Sequence, residues 1–147
     1  MNVFITGASS GLGAALANEF AKRGACLGLV ARRRDALDSI EAALPGTHHT
    51  YTVDITDKDA LIGAARAFDA TVGGTDIVIA NAGISIGVKT EFYEDLEQFA
   101  KVMDTNVLGM AATWRPVRVQ HMHMLRRRDG RSSEHWATRH DLGMLQQ

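Results

Sequence analysis

The chain is poor in several things, and each shortage narrows what it can be. It has one cysteine, Cys26, so no internal disulfide can form. A reducing, cytoplasmic compartment is the expectation that follows. No run of about 18 apolar residues occurs, which argues against a membrane-spanning helix. The first residues enter a strand-like apolar run directly, without the charged, apolar and small-residue segments of a secretory leader. Aromatic residues make up only 6 %. The one basic cluster near the end, Arg126-Arg127-Arg128, therefore has no aromatic platform and reads as a solvated face rather than a nucleic-acid site. His121, His123, His135 and His140 have no zinc-type spacing and no nearby cysteine, so no metal is expected. Tyrosine occurs only at 51 and 93, and no lysine follows Lys101.

What is present fits one soluble domain. A chain of 147 residues with 46 % hydrophobic residues can bury a real core. The net charge of −1 conceals an asymmetry. Residues 1–113 hold nine Lys and Arg against fourteen acids, and residues 114–147 hold seven against three. Both tryptophans and four of the six histidines also fall in that last stretch.

The chain is organised around Thr6-Gly7-Ala8-Ser9-Ser10-Gly11-Leu12-Gly13. This stretch follows the apolar run Asn2–Ile5 and opens a helical pattern with Leu12, Ala15, Leu16 and Phe20 on one face. Strand, glycine-rich turn and helix form the setting in which such a motif carries meaning. Glycine permits the sharp turn and lets a phosphate approach the backbone. The first helical N–H groups lack internal partners, and the positive end of the helix dipole favours an anion. The hydroxyls of Ser9 and Ser10 add donors. The reading is a dinucleotide pyrophosphate site on a Rossmann-type unit; a glycine-rich turn without a ligand is the alternative.

Strand and helix patterns then alternate. Cys26–Val30 is a continuous apolar run, as expected of a parallel strand covered on both faces. It ends in Ala31-Arg32-Arg33-Arg34, where a Rossmann unit reads the adenosine ribose. An acid there accepts from a free 2′-hydroxyl and repels a 2′-phosphate; arginines pair with phosphate. Arg32 and Arg33 thus point to NADP(H) in preference to NAD(H), the alternative being a solvated basic run. A helix over about 34–44 follows, with Leu37, Ile40 and Leu44 inward, and Pro45-Gly46 breaks it. Thr50–Val53 reads as the third strand, ending in Asp54-Ile55. Thr56 is expected to cap the next helix, with Asp59 three residues on and Leu61, Ala64, Ala65 and Phe68 inward. Asp76–Ala80 is the fourth strand and ends in Asn81-Ala82-Gly83. A helix over about 93–103 is expected to turn Leu96, Phe99, Ala100 and Met103 inward, and Asp104-Thr105-Asn106-Val107 opens another.

Glycines at 7, 11 and 13, Asp54-Ile55, Asn81-Ala82-Gly83 and the Asn-Val-x-Gly run at 106–109 together resemble the short-chain dehydrogenase/reductase family, whose signature is TGxxxGxG. The resemblance covers residues 1 to about 113, the cofactor-binding half of a member. It implies an α/β fold, a doubly wound parallel Rossmann sheet in order 3-2-1-4, here incomplete because members add three further strands. It implies NADP(H)-dependent hydride transfer between an alcohol and a carbonyl of some small molecule. Asp54 and Ile55 would contact the adenine. Asn81 would steady the central sheet, and Ala82 and Gly83 would lie by the ribose. Asn106 would be the catalytic asparagine that holds a water in a proton relay.

Past about residue 113 the pattern fails, although residues 124–131 still resemble the end of the helix begun at Asn106. The family's Tyr-x-x-x-Lys pair, in which the lysine lowers the pKa of the acid/base tyrosine, is absent from the sequence. Ser132 and Ser133 follow no apolar strand. Val117, His121, Met124 and Leu125 would continue the helix begun at Asn106, kinked by Pro116. Residues 114–147 are expected to form an off-pattern tail, partly helical or disordered, produced by a reading-frame shift between about 114 and 132 in an ordinary reductase gene. The chain is then expected to lack catalysis by itself, and the open edge of strand four invites self-association or aggregation. A non-catalytic NADP(H)-binding module and a degenerate gene product are the alternatives.

Overall fold

The computed structural model describes residues 1–87, 95–114, 121–128 and 131–138, the last two stretches by their backbone. Two compact units separate, Met1–Val117 and Arg118–Gln147.

In the first unit strands and helices alternate. They are β1 (Asn2–Thr6), α1 (Gly11–Lys22), β2 (Cys26–Ala31), α2 (Arg34–Ala43), β3 (His49–Thr52), α3 (Lys58–Val72) and β4 (Ile77–Ala80). α4 (Asp95–Met103), a π-helical turn at Asp104–Gly109 and α5 (Met110–Trp114) follow. The four strands form one parallel sheet in the order β3-β2-β1-β4. Phe4 in β1 stands opposite Gly28 in β2 and Val78 in β4. The expected α/β Rossmann architecture and strand order are those observed.

Continuous apolar strands are explained by two covered faces. Val3, Ile5, Leu27 and Leu29 pack with Ala17 and Ala21 of α1 and Leu37 of α2. The alternate residues face α3, where the Phe4 and Phe68 rings lie 5.7 Å apart. All four apolar residues expected on the inner face of α3 are buried. Its cap is Asp57, not Thr56: the Asp57 carboxylate accepts from Ala60 N at 3.0 Å. The Thr56 hydroxyl instead turns back and donates to Asp54 at 2.8 Å.

Two helix faces differ from expectation. In α1 the buried residues are Gly13, Ala17 and Ala21, and Leu12 is 67 % exposed. The helix runs so close to the sheet that only small residues fit beneath it. In α4 no residue is buried, and Leu96, Phe99 and Met103 are 40–44 % exposed. Of the two helices, α5 rather than α4 packs on α3 and β4, and among the described residues no strand lies beyond β4. The expected residue Tyr93 lies outside the described residues.

The second unit contains β5 (His121–Arg128) and β6 (Arg131–Thr138), paired antiparallel from His121 opposite Thr138 to Arg128 opposite Arg131. The helix expected through His121, Met124 and Leu125 is corrected to a strand, and a second strand stands where no strand period was expected. Cross-strand pairing supplies the backbone partners of both strands. The sequence between the strands is Asp129-Gly130, the dipeptide preferred in two-residue hairpin connections.

Candidate functional site

The C-terminal ends of the four parallel strands open onto one cavity of about 670 Å³. Open α/β sheets bind ligands at this position, outside the carboxyl ends of their strands. Gly7, Ser9, Ser10, Leu12, Arg32, Arg33, Asp54, Ile55, Asn81, Ala82 and Gly83 all line it. Gly11 and Gly13 lie outside the lining, within the turn and helix start that shape it.

The turn after β1 is built on two close approaches. Gly7 has φ of 68° and lies so near Ala82 that an added Cβ would come within 2.7 Å of its Cα. Gly13 rests directly on the Gly7 carbonyl, leaving no room for a side chain. Ser10 precedes α1 in an extended conformation and its hydroxyl makes no capping bond. The N–H groups of the first helical turn and the serine hydroxyls are therefore available to an anion at this mouth of the cavity. Leu12, expected among the inward residues of α1, instead stands over the cavity as an apolar wall.

Asn81 ties the turn to β4. Its Nδ2 donates to the carbonyls of Thr6 and Gly7, both at 3.2 Å. Its own N–H and that of Ala82 donate to Thr6 Oγ1 at 3.2 and 3.3 Å. The Asn81 side chain thus shapes the site, while the backbone of Ala82 and Gly83 borders the cavity.

On the opposite side, Arg32 and Arg33 leave the end of β2 with exposed side chains. Arg32 Nη1 lies 3.8 Å from Asp54 Oδ2. Burial would raise the pKa of Asp54, but hydrogen bonds from Thr56 N and Oγ1 and the Arg32 guanidinium outweigh it and hold the carboxyl below the ordinary Asp value. Asp54 is therefore ionised at neutral pH. Ile55 is 5 % exposed and packs on Gly109, so most of its side chain belongs to the core beneath the site.

Asn106 sits in the π-helical turn, a local widening of the kind frequent at functional sites. Its Oδ1 accepts from Ile84 N and its Nδ2 donates to Ile84 O, both at 2.8 Å. Both ends of the amide are thereby engaged in fixing the loop after Gly83. Its side chain acts as a clamp on that loop. Ile84 and Thr105 also line the cavity and were not expected to; only their adjacency to the Asn-Ala-Gly and Asn-Val-x-Gly runs could have marked them. Burial, then the nearby Cys26, pushes the Tyr51 phenol pKa above the ordinary value, and Tyr51 is not among the residues lining the cavity. Among the described residues no group of His, Cys, Asp and Glu could hold a metal ion, and no helix is long and apolar enough to cross a membrane.

Comparison with known proteins agrees with the fold. The family described as short chain dehydrogenase matches residues 1–131, past the Asn-Val-x-Gly run. A fatty acyl-CoA reductase of Mycobacterium tuberculosis is 37 % identical over 131 residues, covering 87 % of this chain and 44 % of the relative. The crystal structure of a 3-ketoacyl-(acyl-carrier-protein) reductase from Brucella melitensis, complexed with NADH, superposes with a TM-score of 0.71 at 28 % identity, covering 78 % of this chain and 47 % of that one. A metagenomic short-chain oxidoreductase in complex with NADP superposes with a TM-score of 0.71 at 25 % identity, covering 80 % of this chain and 54 % of that one. The chain thus spans about half the length of the proteins it matches, or less.

Proposed function

The chain belongs to the short-chain dehydrogenase family, and from that premise we propose that these 147 residues bind NADP(H) for hydride transfer between an alcohol and a carbonyl. The observation that carries the proposal is the single cavity that gathers the glycine turn, the two arginines after β2 and the Asn81–Gly83 backbone. Family neighbours bind either nicotinamide cofactor, one with NADH and one with NADP, so the preference rests on this chain's own residues. The residues present fit the group: a turn where an added Cβ would collide, unpartnered helix N–H groups, and guanidinium groups where other Rossmann units place an acid. Gly7, Ser9, Ser10, Gly11, Leu12 and Gly13 would hold the pyrophosphate, Arg32 and Arg33 the 2′-phosphate, and Asp54 with the exposed edge of Ile55 the adenine. Ala82 and Gly83 would border the ribose, positioned by Asn81, and Asn106 would act through Ile84. When bound, the nicotinamide supplies or accepts the hydride.

The proton-transfer pair is not among these residues. No tyrosine follows Tyr93, no lysine follows Lys101, and Tyr51 is shifted away from neutral pH. That observation favours a second reading, a cofactor-binding module that needs another chain segment for chemistry. The outer edge of β4, unpaired among the described residues, is where such a segment or a second copy would add.

Titration of NADPH into the purified chain, followed by nicotinamide fluorescence, tests the proposal. Saturable binding, tighter than that of NADH, is expected. Arg32→Ala should weaken NADPH about ten-fold, the loss of a charge-assisted contact, and leave NADH nearly unchanged. NADH binding as tightly as NADPH would refute the cofactor assignment. Turnover of alcohols or carbonyls by the chain alone would refute the need for a further segment.

A further inference from the structure

The C-terminal ends of β2 and β3 lie side by side. Ala31 pairs with Thr52, and the ladder continues with Val53 N donating to Ala31 O at 3.0 Å. That register brings Arg32 and Asp54 to neighbouring strand ends, at ion-pair distance. The two oxygens of Asp54 are used differently. Oδ1 accepts from Thr56 N at 3.0 Å and from Thr56 Oγ1 at 2.8 Å, so the turn itself fixes the carboxylate. Oδ2 faces Arg32.

We propose that Asp54 is the positioning residue for Arg32, and that the chain Thr56–Asp54–Arg32 sets how strongly a cofactor bearing a 2′-phosphate is preferred. The proposal rests on the NADP(H) reading above. An exposed arginine has a long stem with many rotamers, and ordering it on binding costs entropy. A carboxylate already locked by its own turn removes part of that cost before the phosphate arrives, which is preorganisation. The negative charge of Asp54 also acts on the phosphate directly, in the opposite sense. The guanidinium's fork must match phosphate geometry closely to bind it with two parallel bonds, whereas repulsion from a half-exposed carboxylate is weakened by solvent and salt. Orientation therefore decides the sign.

The test is the ratio of NADPH to NADH dissociation constants, read by nicotinamide fluorescence and, from the protein side, by thermal shift with each cofactor. Asp54→Asn keeps the size of the side chain and its capacity to accept from Thr56 but removes the charge. It should lower the NADPH preference about three-fold, the scale of an exposed ion pair, by weakening NADPH binding more than NADH binding. Thr56→Val, which loosens the carboxylate without touching Arg32, should lower the preference in the same direction by less, and it carries the test alone if Asp54→Asn does not fold. In an Arg32→Ala background, Asp54→Asn should no longer lower the ratio and should raise it slightly, because only the direct repulsion of the phosphate is then removed. A ratio that is unchanged or raised in Asp54→Asn, or a loss shared equally by both cofactors, overturns the positioning role while leaving the NADP(H) reading standing. An unmodified chain that does not prefer NADPH overturns the NADP(H) reading and this inference with it.

Discussion

β2 and β4 are made of nearly the same residues, Cys-Leu-Gly-Leu-Val-Ala and Ile-Val-Ile-Ala, yet they differ in burial. β2 lies between β1 and β3 and is buried along almost its whole length. Every residue of β4, paired with β1 alone among the described strands, is only half-buried. An apolar run announces a strand suited to two covered faces, but its neighbours decide whether those faces are covered. The contrast extends to the site. At the β2 end the cavity is bordered by exposed charged side chains, Arg32 and Arg33. At the β4 end it is bordered by backbone that two asparagines hold in place.

The sharpest way to break the contrast is to truncate one apolar side chain in each strand. Leu29 is fully buried, and Leu29→Ala should lower stability by about 2–5 kcal/mol. Val78→Ala, in half-buried β4, should cost about 1 kcal/mol or less. Urea unfolding curves measure both. Equal losses, with a midpoint that rises with protein concentration, would mean that β4 is covered in solution by a second copy, and the contrast would belong to the monomer only.

A smaller effect is expected at the asparagine clamp. Asn106→Ala removes both hydrogen bonds to Ile84 and leaves that residue's N–H and C=O without their partner. About 1–3 kcal/mol of local stability should be lost, visible as faster hydrogen exchange at Ile84 while the β1–β2 amides keep their protection. If exchange accelerates throughout the sheet instead, the clamp supports the whole fold and not the β4 side alone.

The sheet was legible because two-sided burial writes itself as uninterrupted apolar sequence, and the turn because glycine spacing records where backbones touch. The helices were less so. The four-residue rule selected Leu12 and Leu16 in α1, but a helix that rests on a glycine turn must present Gly13, Ala17 and Ala21, and Leu12 is left over the cavity. In α4 the same rule found an apolar face at Leu96, Phe99 and Met103 that no described element covers. Thr56 and Asp57 are both good capping residues, and sequence cannot show that Asp54 takes the Thr56 hydroxyl. At the site, residue types marked Asn81 and Asn106, but not that both amides spend their bonds on backbone. Ile84 takes part through its peptide groups, which sequence does not distinguish. The hairpin of β5 and β6 had one signal, Asp129-Gly130, within a stretch whose charge and histidine content otherwise hid any strand period.

The smallest effect concerns the β2 side and tests what holds Asp54. Its folded-state pKa lies below the ordinary value of 3.8, so the ionised carboxylate favours the folded chain above that pH. The contribution is lost as pH falls from about 3.8 through the folded pKa, and never as pH rises. The two supports are unequal. The Thr56 bonds lower the pKa more than the Arg32 charge does, as expected when direct hydrogen bonds compete with an exposed guanidinium 3.8 Å away. Titration of the Asp54 carboxyl by NMR should therefore show a larger upward move in Thr56→Val than in Arg32→Ala. The reverse order would mean that the ion pair fixes the carboxylate and that the turn is secondary. The β2 end of the site would then be held mainly by charge, in sharper contrast still to the hydrogen-bonded β4 end.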